Sequence, residues 1–456
     1  MTKPMKILLI APQSVLPRKL PILIPMGLLS IGGFLRKHGF EVKIYNASFI
    51  SSDFSSDTII NVKSILKSYA PDILGLGFPT DALQSAIDIA RTAKEDDKQI
   101  TIIVGGIHPT AMPEQILKTP YFDYLVHGEG EITFLELVEG IHNKSDLVNV
   151  KGIAFKKNGR IIVTEARPEI TNLDDVPYNN RDLLIDIENY PKTALGQIHT
   201  SRGCNYSCAY CSSPIIWKKK VRFRSVKNVV EEIIYLYSKY RIRDYNFADD
   251  NFTLDPERMQ AICNGILDKG LKIHWQCCAR ADIHRQFDLA VLKLMRRAGC
   301  QNLCIGFESG SQVILDHAKR GINIAETEAL MKMIKNAGIK LHADFIIGLP
   351  GENKMTLNQT FEMMKNVWKK NHATISVAIF KSYPGTTTFK QKVLPDYKEL
   401  HNQFREIFKY AETCNIKSLS GNTRFLKNRI TEAISSPKEL KSLFIKTVKA
   451  WISKND

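Results

Sequence analysis

Cys204, Cys208 and Cys211 fall in one short run, HTSRGCNYSCAYCSSP, with the spacing C-x3-C-x2-C. Soft thiolates are natural ligands of iron–sulfur clusters, and a cubane of four irons needs four ligands. Three thiolates hold three irons and leave one coordination position open. An open iron binds and polarises a small molecule, so the run reads as a reactive cluster rather than a pure electron carrier. The alternative is zinc, which takes four closed ligands, commonly from paired C-x2-C-like motifs. His199 would then have to be the fourth ligand, from inside an apparent strand.

The elements around the run set further polar groups beside it. From residue 196 to 394, strand and helix patterns alternate. The strands are QIHTSR, DYNFADD, IHWQCCAR, NLCIGFE, LHADFIIG and ATISVAIF, and several intervening helices stop at glycine. Six such repeats predict an incomplete parallel (β/α)6 barrel, whose chemistry gathers at the carboxyl ends of the strands. The first strand leads into the cysteine run. The second ends in Asp249-Asp250-Asn251. The third ends at Arg280, suited to gripping a carboxylate with two parallel hydrogen bonds. The fourth ends in Gly306-Phe307-Glu308-Ser309-Gly310-Ser311, and the fifth in Gly348-Leu349-Pro350-Gly351-Glu352. A structural ion pair between Arg280 and Glu308 is the alternative to ligand contact. Cys277, Cys278, Cys300 and Cys304 have irregular spacing, and neighbours on one strand point to opposite faces. These four, with Cys263 and Cys414, are expected to be buried inert thiols.

Residues 1–142 also alternate strand and helix, beginning with MKILLIAP and continuing through EVKIYNA, DILGLGFP, ITIIVGG and FDYLVHG. Five strands with helices between them predict a doubly wound, Rossmann-like parallel sheet, which binds ligands beyond its strands' carboxyl ends. The loops there are 11–14, 77–81, 105–110 and 127–131. Adjacent glycines in VGGIHPT let backbone approach a large ligand, and a helix starting after Pro109-Thr110 would aim its amides at an anionic group. Residues 143–195 read as a linker carrying a hairpin around Asn158-Gly159. Residues 395–456 read as a helical tail with basic amphipathic helices. In its last segment Leu440, Leu443, Phe444, Val448 and Trp451 share one face. Packing on the protein itself, a substrate lid and contact with an anionic membrane surface are the alternatives for the tail.

The C-x3-C-x2-C spacing matches the signature of the radical S-adenosylmethionine enzymes, and the chain resembles that superfamily here. The resemblance implies a [4Fe-4S] cluster whose open iron is chelated by S-adenosylmethionine. It places Tyr210 near the adenine, the backbone at Phe247 and Ala248 at the amino group, and Glu308 at the ribose, with Ser309 among the S-adenosylmethionine contacts. Gly348 falls beside the adenine, while Asp249 and Arg280 complete the set. One departure is that acidic residues replace the glycine pair usual after the second strand.

The N-terminal third resembles the cobalamin-binding domain that precedes many of these barrels. VGGIHPT and HGEGE carry the likeness, which implies a cobalamin pocket built from Ser14, Pro79, Thr80, Gly105, Gly106, His108, Thr110, His127, Gly128 and Glu129. The loop after the first strand, APQSVLPRKLPI, lacks the cobalt-ligating histidine of D-x-H-x-x-G domains. His108 and His127 are therefore expected to contact the pocket rather than cobalt. A flavodoxin-like domain with another ligand is the alternative.

Together the resemblances imply a cobalamin-dependent radical enzyme that methylates an unactivated carbon or phosphorus and is fed electrons by flavodoxin or ferredoxin. Its substrate is expected to be a small molecule, lipid or peptide. A non-methylating relative and a corrinoid-holding sensor without turnover are the alternatives. A nucleic-acid-modifying methylthiotransferase is disfavoured, because that family has cysteines in its N-terminal domain and the first here is Cys204.

The bulk properties agree. The chain has 456 residues, is 44% hydrophobic and has no apolar run of the roughly 18 residues a membrane span needs. Nine cysteines without paired spacing argue against a secreted disulfide scaffold and for a reducing cytoplasm. The net charge of +16 favours anionic partners, though the basic residues are scattered rather than striped. No nucleic acid is expected.

Overall fold

The computed structural model describes residues 5–14, 23–49, 56–178, 180–391 and 397–419. The apolar runs of the N-terminal third form β1 (Lys6–Ala11), β2 (Glu41–Asn46), β3 (Ile73–Gly77), β4 (Thr101–Gly105) and β5 (Tyr124–Val126). They pair in parallel in the order β2-β1-β3-β4-β5. Side chains of β1 alternate between two cores: Ile7 and Leu9 pack in one, Leu8 and Ile10 in the other. That two-faced burial explains the continuous apolar strands, because helices cover both sides. Helices Met26–Lys37 and Glu131–His142 pack on each other over one face. Ser56–Tyr69 and Leu83–Asp96 lie together over the other.

The hairpin expected in the connector is part of this sheet. Strands β6 (Ile153–Lys157) and β7 (Arg160–Val163) extend it antiparallel from β5, with Leu125 opposite Ala154. Asn158 and Gly159 both take positive φ, the conformation of a two-residue hairpin turn. The rest of the connector packs against the sheet through a bridge from Leu184 to Ile44.

The second half forms the incomplete barrel. Strands β8 (Gln197–Ile198), β11 (Asp244–Phe247), β12 (His274–Arg280), β13 (Cys300–Glu308), β14 (Lys340–Ile347) and β15 (Thr374–Ile379) are parallel neighbours in that order. The expected single strand QIHTSR is split after Ile198. Its second part, β9 (Ser201–Arg202), pairs antiparallel with β10 (Arg222–Phe223) in a separate ladder. The side chain of Asp249 fills the break by accepting the amides of Thr200 (2.6 Å) and Ser201 (3.1 Å).

The buried residues of β14 alternate with polar ones that face the barrel interior: His342 and Asp344 are partly exposed between buried Leu341, Ala343 and Phe345. The same alternation corrects the reading of the spare cysteines. Cys277 and Cys300 are buried, but Cys278 is exposed and Cys304 partly so, and these two stand opposite each other on β12 and β13. Strand pleating alone decides which of the pair reaches the core.

The first tail helix, Tyr397–Leu419, packs on β15, the last strand of the sheet, and buries Leu400, Phe404, Ile407, Ala411 and Cys414. Asn415 donates to the carbonyl of Ile375 (2.9 Å) and accepts its amide (2.7 Å), as a neighbouring strand would. The second tail segment, with Leu440 to Trp451, lies outside the described residues. No described helix is long and apolar enough to cross a membrane.

Candidate functional site

The cysteine loop begins at Gly203, whose φ is +94° and where a Cβ would collide with the carbonyl of Lys220. Only glycine allows this close approach. The loop is then tied to two distant barrel segments: Ala209 donates to Ala318 (2.9 Å) and accepts from Thr388 (3.1 Å). Cys211 donates to Cys208 (3.1 Å), and the amide of Ser213 reaches the Cys211 sulfur (3.4 Å). Cys208 is buried, and Cys204 and Cys211 are partly so.

The three thiols influence one another electrostatically. They are not drawn into a closed ligand triangle; among the described residues, no three His, Cys, Asp or Glu side chains are gathered to hold a metal ion. Burial pushes Cys204 up and Cys211 to about 11, so these two thiols stay protonated until a metal displaces the proton. The guanidinium groups of Arg320 (3.4 Å) and Arg280 (3.7 Å) point at the Cys208 sulfur. Soft donors with cationic neighbours suit an anionic iron–sulfur cluster.

The other expected contacts divide into free and committed groups. Tyr210 packs with Ile314, Ile346, Leu349 and Phe380, beside Glu308. Phe247 is stacked on Phe252 (4.6 Å) within the core, and the amide of Ala248 is bonded to Ile198 (2.8 Å). Ala248 also lines a cavity between the barrel mouth and the N-terminal sheet. Asp249 lines the same cavity, but its carboxylate is bonded to Thr200 and Ser201, so it is not a free acceptor for ligand. Asp250 is exposed and accepts from Ser213 (2.7 Å).

Arg280 and Glu308 do not pair with each other. Arg280 grips Asp282 (3.0 Å) and lies over the Tyr206 ring (3.5 Å). Glu308, with φ at +66°, pairs with Arg320 (3.2 Å). Burial raises its carboxyl above the usual range, partly offset by Arg320. Backbone strain of this kind, in a non-glycine residue, collects at functional sites. Ser309 is buried and bonded to Thr360 (3.0 Å), a structural role. The amide of Gly348 is taken by Glu352.

Sequence reading missed Arg320 and Tyr206. Arg320 sits in HAKRGI with no spacing relation to the cysteines. Tyr206 lies within the run but resembles any loop aromatic.

Between the barrel mouth and the N-terminal sheet is a cavity of about 340 Å³. One wall is the glycine-rich end of the sheet, Gly77, Gly105, Gly106, Gly128 and Gly130. The other is Ser201–Gly203, Trp217 and Ala248–Asp250, on either side of the cysteine loop. Of the expected cobalamin contacts, Gly105, Gly106, Gly128 and Glu129 line it. Ser14, Pro79, Thr80, His108, Thr110 and His127 are not among its lining residues.

Those six sit on neighbouring segments, and two of them, Thr80 and His108, meet each other. Ser14 bonds Asp81, Thr80 meets His108 Nδ1 (3.1 Å), and Thr110 accepts the amide of Gly128 (3.1 Å). The Nε2 atoms of His108 and His127 are buried without a hydrogen-bond partner, and burial lowers both imidazoles. The short helix expected after Pro109-Thr110 begins earlier, at Ile107, directly after Gly106. Gly106 has φ of +102° and would place a Cβ 2.9 Å from the Phe78 backbone. A sheet end without side chains, flanked by two imidazoles whose Nε2 atoms lack partners, fits a large flat ligand such as a corrinoid.

Residues 198–364 match the Radical SAM superfamily and residues 20–138 the B12 binding domain. An uncharacterised methyltransferase of Pyrococcus horikoshii is 32% identical over 396 residues, which is 86% of this chain and 84% of that protein. The chain belongs to the cobalamin-binding radical S-adenosylmethionine enzymes. Its cofactors are a [4Fe-4S] cluster, S-adenosylmethionine and cobalamin. The anaerobic magnesium-protoporphyrin IX monomethyl ester cyclase of Rubrivivax gelatinosus is 29% identical over 80% of this chain, which spans 66% of that enzyme. The fold is also that of the radical S-adenosylmethionine methyltransferase TsrM from Kitasatospora setae, solved with cobalamin and a [4Fe-4S] cluster. The TM-score is 0.71 at 19% identity, over 84% of this chain and 77% of that one.

Proposed function

We propose that this enzyme is a methyltransferase acting on an unactivated carbon or phosphorus of a small molecule. The observation that carries the reading is one cavity with two unlike walls, the glycine platform on one side and, on the other, Ser201–Gly203 and Trp217, which flank the cysteine loop in sequence. When bound, the cluster with S-adenosylmethionine supplies a 5'-deoxyadenosyl radical for hydrogen abstraction, and methylcobalamin supplies the methyl group. The chain's part is to hold and orient. Cys204, Cys208 and Cys211 hold three irons. Tyr210, Ala248, Glu308 and Gly348 border the S-adenosylmethionine position. The ends of β3, β4 and β5 admit the corrinoid, with His108 and His127 at its margin. A low-potential flavodoxin or ferredoxin of the cytoplasm is the reductant in this reading.

The R. gelatinosus relative is a cyclase, which makes a non-methylating reaction the second reading. Anaerobic reconstitution with iron, sulfide and cobalamin tests both. The wild-type protein is expected to bind one cobalamin and one cluster and to release 5'-deoxyadenosine under reduction. Cys204→Ala should lose cluster iron and at least ~1000-fold of deoxyadenosine release while keeping cobalamin. S-adenosylhomocysteine formed alongside deoxyadenosine supports methylation. Deoxyadenosine alone, with a substrate turned over, supports the second reading. A protein that takes up cluster but no cobalamin would overturn both.

A further inference from the structure

Glu129 and Glu131 flank Gly130 in HGEGE, between β5 and the helix Glu131–His142. Both carboxylates meet one guanidinium from the other half of the molecule. Arg202 Nη1 lies 2.6 Å from Glu129 and Nη2 lies 2.6 Å from Glu131, with a second contact to Glu131 at 3.3 Å. Ser30 completes the set, accepting from Arg202 (3.0 Å) and donating to Glu131. Across the small ladder, Arg222 donates to the other oxygen of Glu129 (2.7 Å) and to the carbonyl of Ile170 (2.6 Å). Trp217 lies near both guanidinium groups, at 5.9 and 5.7 Å. The side chains of Arg202, Glu129 and Glu131 are only 15%, 6% and 4% exposed.

Two facts make this more than a stabilising contact. Buried ion pairs gain little over apolar packing, because desolvation cancels most of the attraction; what they impose is geometry. A rigid guanidinium fork shared by two carboxylates accepts one register and rejects slipped ones. Its location is the second fact. Ser30, Glu129, Glu131, Arg202 and Trp217 all line the cavity. Arg202 is also joined to Cys204 through Gly203 alone, and Gly203 is fixed by its contact with Lys220.

We propose that Arg202, clamped by Glu129 and Glu131, is a positioning residue that sets the cysteine loop at a fixed distance and angle from the glycine platform. It touches neither reacting atom; it acts through Cys204 on one side and through Gly128 and Gly130 on the other. The proposal rests on the two-cofactor reading for its purpose, but its mechanical part is visible in the protein without cofactors.

The test therefore has two stages. In the cofactor-free full chain, hydrogen exchange is followed at residues 127–131 and 199–203 in wild type, Arg202→Lys, Arg202→Gln and the triple variant Arg202→Met, Glu129→Gln, Glu131→Gln. The triple variant removes Arg202 and both carboxylates together, so that only Arg222, 12% exposed, loses its carboxylate, and it stays testable if Arg202→Gln fails to fold. Exchange at both segments should rise at least tenfold in the triple variant, with Arg202→Lys intermediate, while exchange in β12–β14 stays unchanged. Unchanged exchange at both segments would overturn the proposal.

In the reconstituted protein, the magnetic interaction between the reduced cluster and cob(II)alamin is read by electron paramagnetic resonance. A single interaction in wild type should become a broad distribution in the triple variant at equal iron and cobalamin content. A folded variant that loads both cofactors and keeps the wild-type interaction refutes the positioning role. A folded variant that takes cluster but specifically loses cobalamin also refutes it, since Arg202 would then be a cobalamin ligand. Failure of wild type to take cobalamin would sink the functional reading instead, and the exchange result would still decide the clamp.

Discussion

The two strand ends that face each other across the cavity are built on opposite plans. The N-terminal sheet ends in glycine at β3 and β4, and Gly128 and Gly130 follow β5. The barrel strands end in charged groups that already have partners: Asp249 accepts hydrogen bonds from Thr200, Arg280 is paired with Asp282, and Glu308 with Arg320. One end makes room by omitting side chains. The other end holds a reactive group by arranging side chains that neutralise one another. The former should be sensitive to added atoms, and the latter to removed charges.

Arg320→Gln attacks the charged end and should have the largest effect. It leaves Glu308 buried without its cation and takes a donor from Cys208. Breaking a buried pair from one side costs about 3–5 kcal/mol, so the denaturation midpoint should fall clearly. Cluster iron after reconstitution should fall with it, and cobalamin uptake should not. Equal loss of both cofactors would mean the two ends are not separable.

Gly106→Ala is the matching attack on the bare end. One methyl group at φ of +102°, 2.9 Å from the Phe78 backbone, should cost about 1–3 kcal/mol. Cobalamin retention on gel filtration should drop at least ~10-fold, a loss of about 1.4 kcal/mol or more in binding. Iron content is expected to stay at the wild-type level; a fall in iron would blur the contrast.

Glu352→Gln should give the smallest change and sharpens the charged end by pH. Glu352 is buried on the amides of Gly348 and Leu349, and burial raises its carboxyl to about 7. A folded-state value above the unfolded one means the native protein holds the extra proton. That stabilising contribution is complete below the ordinary glutamate range and declines as pH rises through about 7. Between pH 6 and 8 the wild type should therefore lose about 1 kcal/mol relative to the glutamine variant. Parallel melting curves for the two proteins across this interval would remove Glu352 from the set of charges held under strain.

What the sequence disclosed and what it hid divide along the range of the interactions. Apolar runs with glycine stops revealed both sheets, since strand period and helix termination are local. The cysteine run and VGGIHPT were legible for the same reason. The clamp was not: Glu129 and Arg202 are 73 residues apart, Glu129 reads within HGEGE as a pocket contact, and Arg202 looks like a solvated charge in its own segment. The bonds of Asp249 to Thr200 and Ser201 were hidden because they depend on a break in a neighbouring strand, which no pattern within DYNFADD encodes. The exposure of Cys278 depends on which face of β12 meets the interior of the barrel, a choice made by register and not by composition.

The reciprocal bonds between Asn415 and Ile375 have a consequence for solubility. The described sheet of the barrel ends at β15, and a final strand exposes unpaired amides and carbonyls that can recruit another chain. Asn415 occupies one such donor–acceptor pair with a side chain, and the helix that carries it covers the neighbouring apolar surface. The tail helix thus covers the edge at which another strand could otherwise pair.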